Sequence, residues 1–188
     1  MDLTWGDERA GKFVTGVGLI TTKGKTGDNI MAAEWTHQLS YSPGIIAVSI
    51  GNGKVSGENI KQTKEFGVNL AAIDQNIIVN IAGKSHTAGI DKIKILEELG
   101  FKFFKAKKIN TLMIEGAAFQ AECKVKDIIP LGDHTMFVGE IVELYPLSNK
   151  DSLIYHKRIF LKQGEKIEKL NGGELDKINK IVEKNTRK

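Results

Sequence analysis

The nearly strict alternation of side chains from Ala117 to Val125 constrains the fold more than any other feature of this sequence. Small or apolar residues occupy every second position, and Gln120, Glu122 and Lys124 lie between them. A period of two sends one set of side chains into a core and the other toward solvent, as in an antiparallel strand. We therefore predict a half-buried β-strand here, and the rest of the chain must supply the sheet around it.

Several other segments share the β-branched, glycine-punctuated character of strands. They are Phe13 to Thr22, Asn29 to Tyr41, Ile45 to Ile50, Gly67 to Ala72, Thr135 to Tyr145 and Tyr155 to Leu161. Turn-rich runs separate neighbouring strands at Lys23 to Asn29, Ser42 to Gly44 and Ile128 to Asp133. Because these connections are short, we expect the strands to pair antiparallel.

Short helices interrupt the strands without a regular strand–helix alternation. Lys54 to Phe66 has apolar residues at helical intervals, and Asp91 to Leu99 begins at an aspartate cap and stops at a glycine. Asp74 to Ala82 is ambiguous, and Glu174 to Val182 predicts a last helix. The apolar stripe of that helix consists of Leu175, Ile178, Ile181 and Val182. These elements predict a mainly β fold, an antiparallel barrel with short peripheral helices and a C-terminal helix.

Composition and charge exclude several classes of protein. The single cysteine, Cys123, cannot form an internal disulfide, and the polar start from Met1 to Lys12 is unlike a signal peptide. We therefore expect a cytoplasmic protein, and no apolar run approaches the roughly 20 residues of a membrane span. The net charge of +4 resides largely in Lys177 to Lys188, and only 7% of the residues are aromatic, which argues against a nucleic-acid partner.

Common nucleotide, metal and nucleophile motifs do not occur in the sequence. Gly16 to Gly18 lacks the following helix and third glycine of a dinucleotide fingerprint, and Gly24 to Thr26 is a turn fragment rather than a phosphate loop. The four histidines have no partner at metal-ligand spacing, so we predict no metal site. Cys123, and Ser85 beside His86, give no arrangement for nucleophilic catalysis.

Three segments taken together resemble a known family: Asn29 to Ile50, Lys54 to Leu70 and Leu131 to Val142. In order and character they are similar to the flavin reductase-like family of FMN-binding split barrels, which includes the flavoredoxins. The similarity extends from about Lys12 to Pro146. The resemblance implies a Greek-key split barrel that works as a homodimer, binds FMN noncovalently and in many members is reduced by NADH or NADPH.

The resemblance implies that the strand from Asn29 to Thr36 lies against the isoalloxazine ring of FMN. Small side chains there would let backbone N–H and C=O groups contact the donor and acceptor edge of the ring. The implied cofactor residues are Asn29, Ile30, Met31, Ala32, Ala33, Trp35 and Thr36. From the residues alone, Ala32 and Ala33 equally suit a crowded barrel interior, and Trp35 equally suits core or dimer packing.

The same resemblance assigns the ribityl phosphate of FMN to a turn and a helix entrance. The residues there are Ser49, Gly51, Lys54 and Ser56, with Lys84 and Ser85 as a second cation and hydroxyl. Backbone N–H groups at a helix start, a hydroxyl and an ammonium group together offset the desolvation of a phosphate dianion. Each lysine could equally be a solvated surface charge, and the sequence does not rank Lys54 above Lys84.

His134 is the catalytic residue that the resemblance implies, in a short turn beginning at Gly132 near which the nicotinamide would stack on the flavin. Hydride transfer needs no protein acid or base. The expected contribution of His134 is therefore to orient the donor or to polarise the reduced ring. His37, on the flavin-facing strand, is a lesser candidate, and the alternative for His134 is an ordinary hairpin histidine.

Three functions remain as hypotheses. The first is an FMN-dependent oxidoreductase in which NADH or NADPH reduces bound FMN, which passes electrons to free flavin, a ferric complex or a partner protein. The second is a flavoredoxin-like electron carrier without nicotinamide activity. The third is a cofactor-free binding barrel whose basic tail, Lys177 to Lys188, contacts an acidic partner or nucleic acid.

The expected organisation is one domain spanning residues 1–188, with an FMN-binding core of about residues 12–161 and a helical tail of about residues 173–188. We expect a homodimer, and the apolar stripe of the last helix should pack on the barrel or on a second subunit.

Overall fold

The structure is a computed structural model and describes residues 2–4, 6–25, 27–84, 89–167 and 172–185. The strands are β1 Thr15–Gly16, β2 Gly18–Gly24, β3 Gly27–Ala33, β4 Thr36–Ser40, β5 Ile45–Gly51, β6 Glu65–Leu70, β7 Phe103–Lys105, β8 Leu112–Ile114, β9 Phe119–Leu131, β10 His134–Leu144, β11 Ile154–His156 and β12 Ile159–Leu161. The helices are α1 Val55–Thr63, α2 Asn76–Lys84, α3 Lys92–Glu98 and α4 Gly172–Asn185, and a short 3-10 helix spans Ala10–Lys12. Within these ranges no helix is both long and apolar enough to cross a membrane.

A seven-stranded antiparallel sheet, in the order β3-β2-β6-β9-β10-β5-β4, forms the centre of the fold. Strands β1, β11 and β12 make a second small sheet, and β7 pairs with β8. The predicted mainly β antiparallel fold with short helices and a C-terminal helix is confirmed. Because β3 and β4 end the sheet, each has one edge without a strand partner in the described part of the chain.

Two apolar clusters form the core. One packs β2 and β3 against α2 and α3 and includes Ile30 and Leu96. The other lies among β5, β6, β9 and β10 and includes Phe66 and Phe137. It is closely packed at Gly139, because a Cβ there would lie 2.6 Å from the ring of Phe66. The first cluster therefore holds β3, which borders the candidate site, against the two short helices.

The alternating segment forms the first part of β9, as predicted, but β9 is longer than the pattern indicates. The prediction of a turn over Ile128 to Asp133 is wrong, because β9 continues to Leu131 and Gly132, with φ +59°, begins the tight connection to β10. Pro130 suggested a break. The strand β6 pairs with β9 only as far as Lys124. Among the described residues, Pro130 therefore lies where one edge of β9 has no partner strand, a position that proline tolerates.

The last predicted strand, Tyr155 to Leu161, is a hairpin instead. Strands β11 and β12 pair antiparallel, and the turn between them consists of Lys157 and Arg158, with φ values of 49° and 64°. Two-residue turns of this shape favour asparagine and glycine. The prediction of one continuous strand is therefore wrong, since lysine and arginine carry no turn signal.

The predicted helices form, with small shifts at their ends. Helix α3 has the expected cap, in which the Asp91 carboxylate accepts a hydrogen bond from the Lys94 amide at 3.0 Å. The ambiguous segment from Asp74 to Ala82 is helical from Asn76 onward, as part of α2. Just before this helix the Gln75 side chain accepts a hydrogen bond from the Ala72 amide at 3.0 Å. Helix α4 also forms, and the residues of its apolar stripe are between 41% and 57% exposed.

One residue on the polar face of β9 is not solvated. Glu122 is fully buried, because the segment 106–111 folds over this part of the strand and donates backbone hydrogen bonds to its carboxylate. The donors are the amides of Lys107, Lys108 and Ile109, at 2.7, 2.6 and 3.1 Å, and the hydroxyl of Tyr145, at 2.5 Å. The expectation that Glu122 faces solvent is therefore wrong.

Candidate functional site

A cleft of about 1780 Å³ opens beside β3 and the β5–α1 connection. The residues predicted for the site that line this cleft are Asn29, Met31, Ala32, Ala33, Trp35, Ser49, Gly51, Lys54, Ser56 and His134. Lys84 does not line it and is exposed on α2, and Ser85 lies outside the described residues. The fold thus brings together most of the predicted residues from three separate parts of the chain.

Two predicted residues turn their side chains away from the cleft. Ile30 is fully buried in the core, and Thr36 is buried with its hydroxyl donating to the Ala33 carbonyl at 3.1 Å. The implied role of Ile30 and Thr36 in the cofactor site stays a prediction, and it would have to be fulfilled by their backbone rather than by their side chains. The period of two along a strand explains the burial of Ile30 between Asn29 and Met31, which both line the cleft.

The strand β3 presents its backbone to the cleft. The carbonyl of Ile30 points away from β2, because it accepts a hydrogen bond from the Lys92 ammonium at 3.1 Å. Backbone groups two residues apart in a strand face the same side, so the N–H and C=O of Ala32 also face the open edge. A Cβ on Gly83 of α2 would lie 3.5 Å from the Ala32 side chain, so the helix approaches closely here. A flat ligand with donors and acceptors can hydrogen-bond to this edge.

An aromatic pair lies where the cleft meets the β9–β10 turn. The stretch predicted from Asn29 to Tyr41 is divided at Glu34 and Trp35 into β3 and β4. The rings of Trp35 and His134 have centroids 4.5 Å apart and an interplanar angle of 41°. Trp35 is 46% exposed, so this pair offers an open aromatic surface rather than a core contact.

Polar contacts hold the turn that carries His134. The Nδ1 atom of His134 lies 2.7 Å from the Asp133 carboxylate, a hydrogen bond that lowers the pKa of Asp133. The Asn52 amide donates to the Gly132 carbonyl at 3.2 Å and accepts from the Thr135 hydroxyl at 2.9 Å. Sequence reasoning missed Asn52, because its partners lie about 80 residues away in the chain.

The entrance of α1 forms the second polar part of the cleft. Lys54 occupies the N-cap position, and no side-chain cap is found there among the described residues. Its side chain lines the cleft, as does the hydroxyl-bearing Ser56 in the first turn. The Ser56 oxygen accepts a hydrogen bond from the Asn29 amide at 2.7 Å, which joins α1 to β3. Backbone N–H groups, a hydroxyl and an ammonium group therefore occur together at one end of the cleft.

Lys92, which sequence reasoning missed, brings a second ammonium group into the cleft. Its Nζ atom donates to the carbonyls of Ile30 and Ala82, each at 3.1 Å. Burial lowers the pKa of Lys92, and the positive charge of Lys54 lowers it further. The sequence held one sign of its role. Lys92 directly follows the Asp91 cap, and a cation at a helix start is unfavourable because it opposes the helix dipole. A partly buried ammonium group with a second, exposed cation nearby favours an anion beside them.

The N-terminal segment and the β11–β12 hairpin form another part of the cleft wall. Tyr155, Lys157 and Arg158 line the cleft there. Burial raises the pKa of Tyr155, the charge of Glu34 raises it further, and the charge of Arg158 opposes both effects. Burial also raises the pKa of Glu34. Sequence reasoning missed this wall because it predicted a strand where the hairpin turns.

Two other histidines in the described part of the chain lie elsewhere. His37 is exposed on β4 and does not line the cleft, and His156 is partly buried in β11. In the described part of the chain, no group of three or more histidine, cysteine or acidic side chains is arranged to hold a metal ion.

Comparison with known families agrees with this geometry. Residues 10–162 match the family model described as flavin reductase like domain. The match spans most of the chain, so the protein belongs to this family, and the resemblance found in the three sequence segments is confirmed.

Individual relatives support the same placement. An uncharacterized protein of Archaeoglobus fulgidus is 32% identical over 116 residues, which are 62% of this chain and 64% of that protein. The NADH-dependent flavin reductase of a Rhodococcus species is 27% identical over 139 residues, which are 72% of each chain. The solved structure of flavin reductase PheA2 in its native state has a TM-score of 0.70 and 26% identity, covering 84% of this chain and 95% of that one. The alignment thus spans less than two thirds of the archaeal relative.

Proposed function

We propose that the protein is an FMN-dependent oxidoreductase in which NADH or NADPH reduces the bound FMN, which passes electrons to free flavin, a ferric complex or a partner protein. The observation that carries this proposal is a single cleft in which the open edge of β3 meets the Lys54 and Lys92 pair. Membership of the flavin reductase-like family and the name of the Rhodococcus relative support it.

The donor set at the entrance of α1 fits a phosphate dianion. Lys54 and Lys92 supply positive charge, and the start of α1 supplies backbone N–H groups. The Ser56 oxygen already accepts from Asn29, so its own O–H can donate to a phosphate oxygen. A dianion would also relieve the repulsion between the two ammonium groups. In this assignment Lys92, rather than Lys84, is the second cation beside the phosphate.

The edge of β3 fits the heterocyclic ring of a flavin. The backbone groups of Ala32 face the open edge, and the small side chains of Ala32 and Ala33 leave room for a flat ring. When bound, FMN supplies a ring that takes up a hydride from a dihydronicotinamide and passes the electrons on. The protein contributes orientation, because a strand held by the core keeps its backbone donors and acceptors in fixed positions.

His134 would act on the electron donor. Its Nδ1 atom is engaged by Asp133, so Nε2 is the ring nitrogen that would hydrogen-bond to the carboxamide of a nicotinamide. The contacts of Asn52 with the turn, and the Trp35 ring beside His134, restrict where the imidazole can lie. Such positioning raises the fraction of donor molecules that lie in a reactive geometry.

Homodimer formation, domain organisation and location belong to the same proposal. Tyr41 and Leu147 are 91% and 98% exposed, which favours a second subunit that covers them. We infer one domain over residues 1–188, with a core of about residues 12–161 and a helical tail of about residues 173–188. A cytoplasmic location suits the single cysteine, Cys123, which is buried as a free thiol.

Reconstitution with FMN, followed by anaerobic mixing with NADH or NADPH, tests this function. We expect a yellow protein that releases flavin fluorescence on heating and whose flavin absorbance is bleached on the timescale of turnover. A bound flavin that stays oxidised with both donors would instead identify an electron carrier. A protein that stays colourless after reconstitution would overturn the proposal.

A further inference from the structure

Glu34 directly follows β3 and carries a carboxylate that makes no hydrogen bond or ion pair in the described part of the chain. Its side chain lines the cleft and is partly buried. Other acidic residues of the cleft are engaged, since Asp133 contacts His134 and Glu58 contacts Lys61. Burial raises the pKa of Glu34, because its charged form loses water and gains no donor. A donor group on a ligand would offset this cost.

The backbone fixes Glu34 at the bend between β3 and β4. The Thr36 amide donates to the Glu34 carbonyl at 3.1 Å, and the Thr36 hydroxyl donates to the Ala33 carbonyl, also at 3.1 Å. Thr36 itself has little room, because a Cβ on Gly18 would lie 2.3 Å from its Oγ1 atom. The fold therefore determines the point from which the Glu34 side chain reaches the cleft.

The strand β3 connects the phosphate site with Glu34. At its start, the Asn29 amide donates to the Ser56 oxygen at the entrance of α1, at 2.7 Å. Ala33, at its end, is four residues farther on, which is about 13 Å at about 3.3 Å per residue. A flavin whose phosphate lies at α1 and whose ring lies along Ala32 therefore has Glu34 beside its ring.

The chemistry of the ring determines which of its groups can face a carboxylate. The oxidised isoalloxazine ring has one N–H group, at N3, and its other polar atoms are hydrogen-bond acceptors. An ionised carboxylate is only an acceptor, so N3–H is the ring group that it can bind. The polar atoms all lie away from the dimethylbenzene end. The ring edge that hydrogen-bonds to β3 therefore contains N3.

We propose that the Glu34 carboxylate accepts a hydrogen bond from the N3–H group of the flavin ring, and that this contact selects flavins whose N3 position is unsubstituted. The inference rests on the proposed function and names a residue that determines its cofactor specificity. A hydrogen bond to a charged acceptor is stronger than one between neutral groups, so this contact also orients the ring along β3.

The binding of FMN and of 3-methyl-FMN, which lacks the N3–H group, tests this contact. Both flavins are titrated by fluorescence into wild type, Glu34→Ala and Glu34→Gln. We expect wild type to bind FMN at least about 10-fold more tightly than 3-methyl-FMN. Glu34→Ala should weaken FMN binding by a similar factor and leave 3-methyl-FMN unchanged. Glu34→Gln keeps an acceptor oxygen, so it should retain more of the FMN affinity than Glu34→Ala.

Glu97→Ala is the matched control, because Glu97 also lines the cleft but is exposed on α3. It should leave both affinities unchanged. The inference is overturned if Glu34→Ala weakens both flavins equally, which would indicate a structural role, or if it only strengthens 3-methyl-FMN, which would indicate crowding at N3. It is also overturned if both flavin affinities stay unchanged while the KM for NADH and NADPH rises, because the donor would then be the carboxamide of the nicotinamide.

The failure of the proposed function gives different results. Wild type that binds no flavin would overturn the proposed function and this inference with it. Wild type that binds FMN but is not reduced by NADH or NADPH would overturn only the proposed reaction, because the comparison with 3-methyl-FMN depends on binding alone.

Discussion

Two regions of the molecule bury a charged side chain. The surroundings favour the charged form in one region and disfavour it in the other. Under the segment 106–111, burial would raise the pKa of Glu122, but hydrogen bonds from Tyr145 and from three backbone amides outweigh this effect and lower it. In the cleft, burial lowers the pKa of Lys92, and the charge of Lys54 lowers it further. The fold thus favours the charged form of Glu122 and disfavours the charged form of Lys92.

This difference distinguishes a charged group that stabilises the fold from one whose charge a bound ligand would balance. Glu122 receives four hydrogen bonds from the protein. Among the described residues, Lys92 receives two carbonyl acceptors and a neighbouring cation. A perturbed, incompletely compensated charge in a cleft is typical of a binding site. Substitutions at Glu122 should therefore reduce stability, whereas substitutions in the cleft should reduce function.

Glu122→Gln should produce the largest effect. The new amide group offers two N–H donors where the protein also presents donors, so at least one backbone N–H loses its acceptor. We expect the free energy of unfolding, measured by urea denaturation, to fall by about 3 kcal/mol. Tyr145→Phe removes one of the four hydrogen bonds and should cost about 1.5 kcal/mol. An unchanged unfolding free energy for Glu122→Gln would mean that this carboxylate is not a structural charge.

His134→Ala should affect rate rather than stability. We expect flavin reduction, followed by stopped-flow absorbance, to slow roughly 10- to 100-fold, or about 1.4 to 2.7 kcal/mol, because the donor loses its positioning group. The variant should keep its FMN and its Tm. His37→Ala, outside the cleft lining, serves as the control and should leave the rate unchanged. A His134→Ala protein that purifies without flavin and recovers full activity with added FMN would place His134 in the cofactor site or the fold.

Local patterns predicted the sheet well and the charged groups of the two regions poorly. Alternation depends only on neighbours in sequence, so it identified the first part of β9. The same alternation placed Glu122 in solvent, because no local signal reveals that a later segment covers it. Lys92 was missed for the same reason, since its carbonyl partners Ile30 and Ala82 come from other elements. The resemblance supplied Lys84 instead, which is exposed on α2.

The sequence predicted turns only where they contain residues typical of turns, such as glycine and proline. Gly132 and the break before β5 lie in two predicted turns. The predicted turn around Gly132 is longer than the observed one, because β9 continues to Leu131. The turn at Lys157 and Arg158 has no glycine or asparagine, so the hairpin was read as one strand. This error also concealed a wall of the cleft. Other residues that the resemblance implied, such as Met31 and Ser49, do line the cleft. They come from segments whose order along the chain resembles that of the family.

Acid should reduce the contribution of Glu122 to the free energy of unfolding within a defined pH range. The pKa of Glu122 is lower in the folded protein than in the unfolded chain, so its contribution is complete above the unfolded pKa and is lost as the pH falls through the folded pKa. We expect the difference in unfolding free energy between wild type and Glu122→Gln to be largest near neutral pH and to shrink in acid. A difference that stays constant down to the acid limit would contradict a charged Glu122.

Lys92→Met should change stability least. The substitution removes two hydrogen bonds to carbonyls, but it also removes a charge that burial and Lys54 disfavour. These opposing effects should leave the free energy of unfolding within about 1 kcal/mol of wild type. Lys84→Met, on the exposed face of α2, provides the baseline for a lysine outside the cleft. A loss as large as that of Glu122→Gln would erase the distinction between the two regions.

The binding of FMN compared with that of riboflavin, which lacks the phosphate, tests most directly whether Lys54 and Lys92 form a phosphate site. Both flavins are titrated by fluorescence into wild type, Lys92→Met and Lys84→Met at one ionic strength. We predict that wild type binds FMN at least about 10-fold more tightly than riboflavin, that Lys84→Met keeps this preference and that Lys92→Met loses most of it. Equal affinity of wild type for the two flavins, or a preference that survives Lys92→Met, would contradict this assignment.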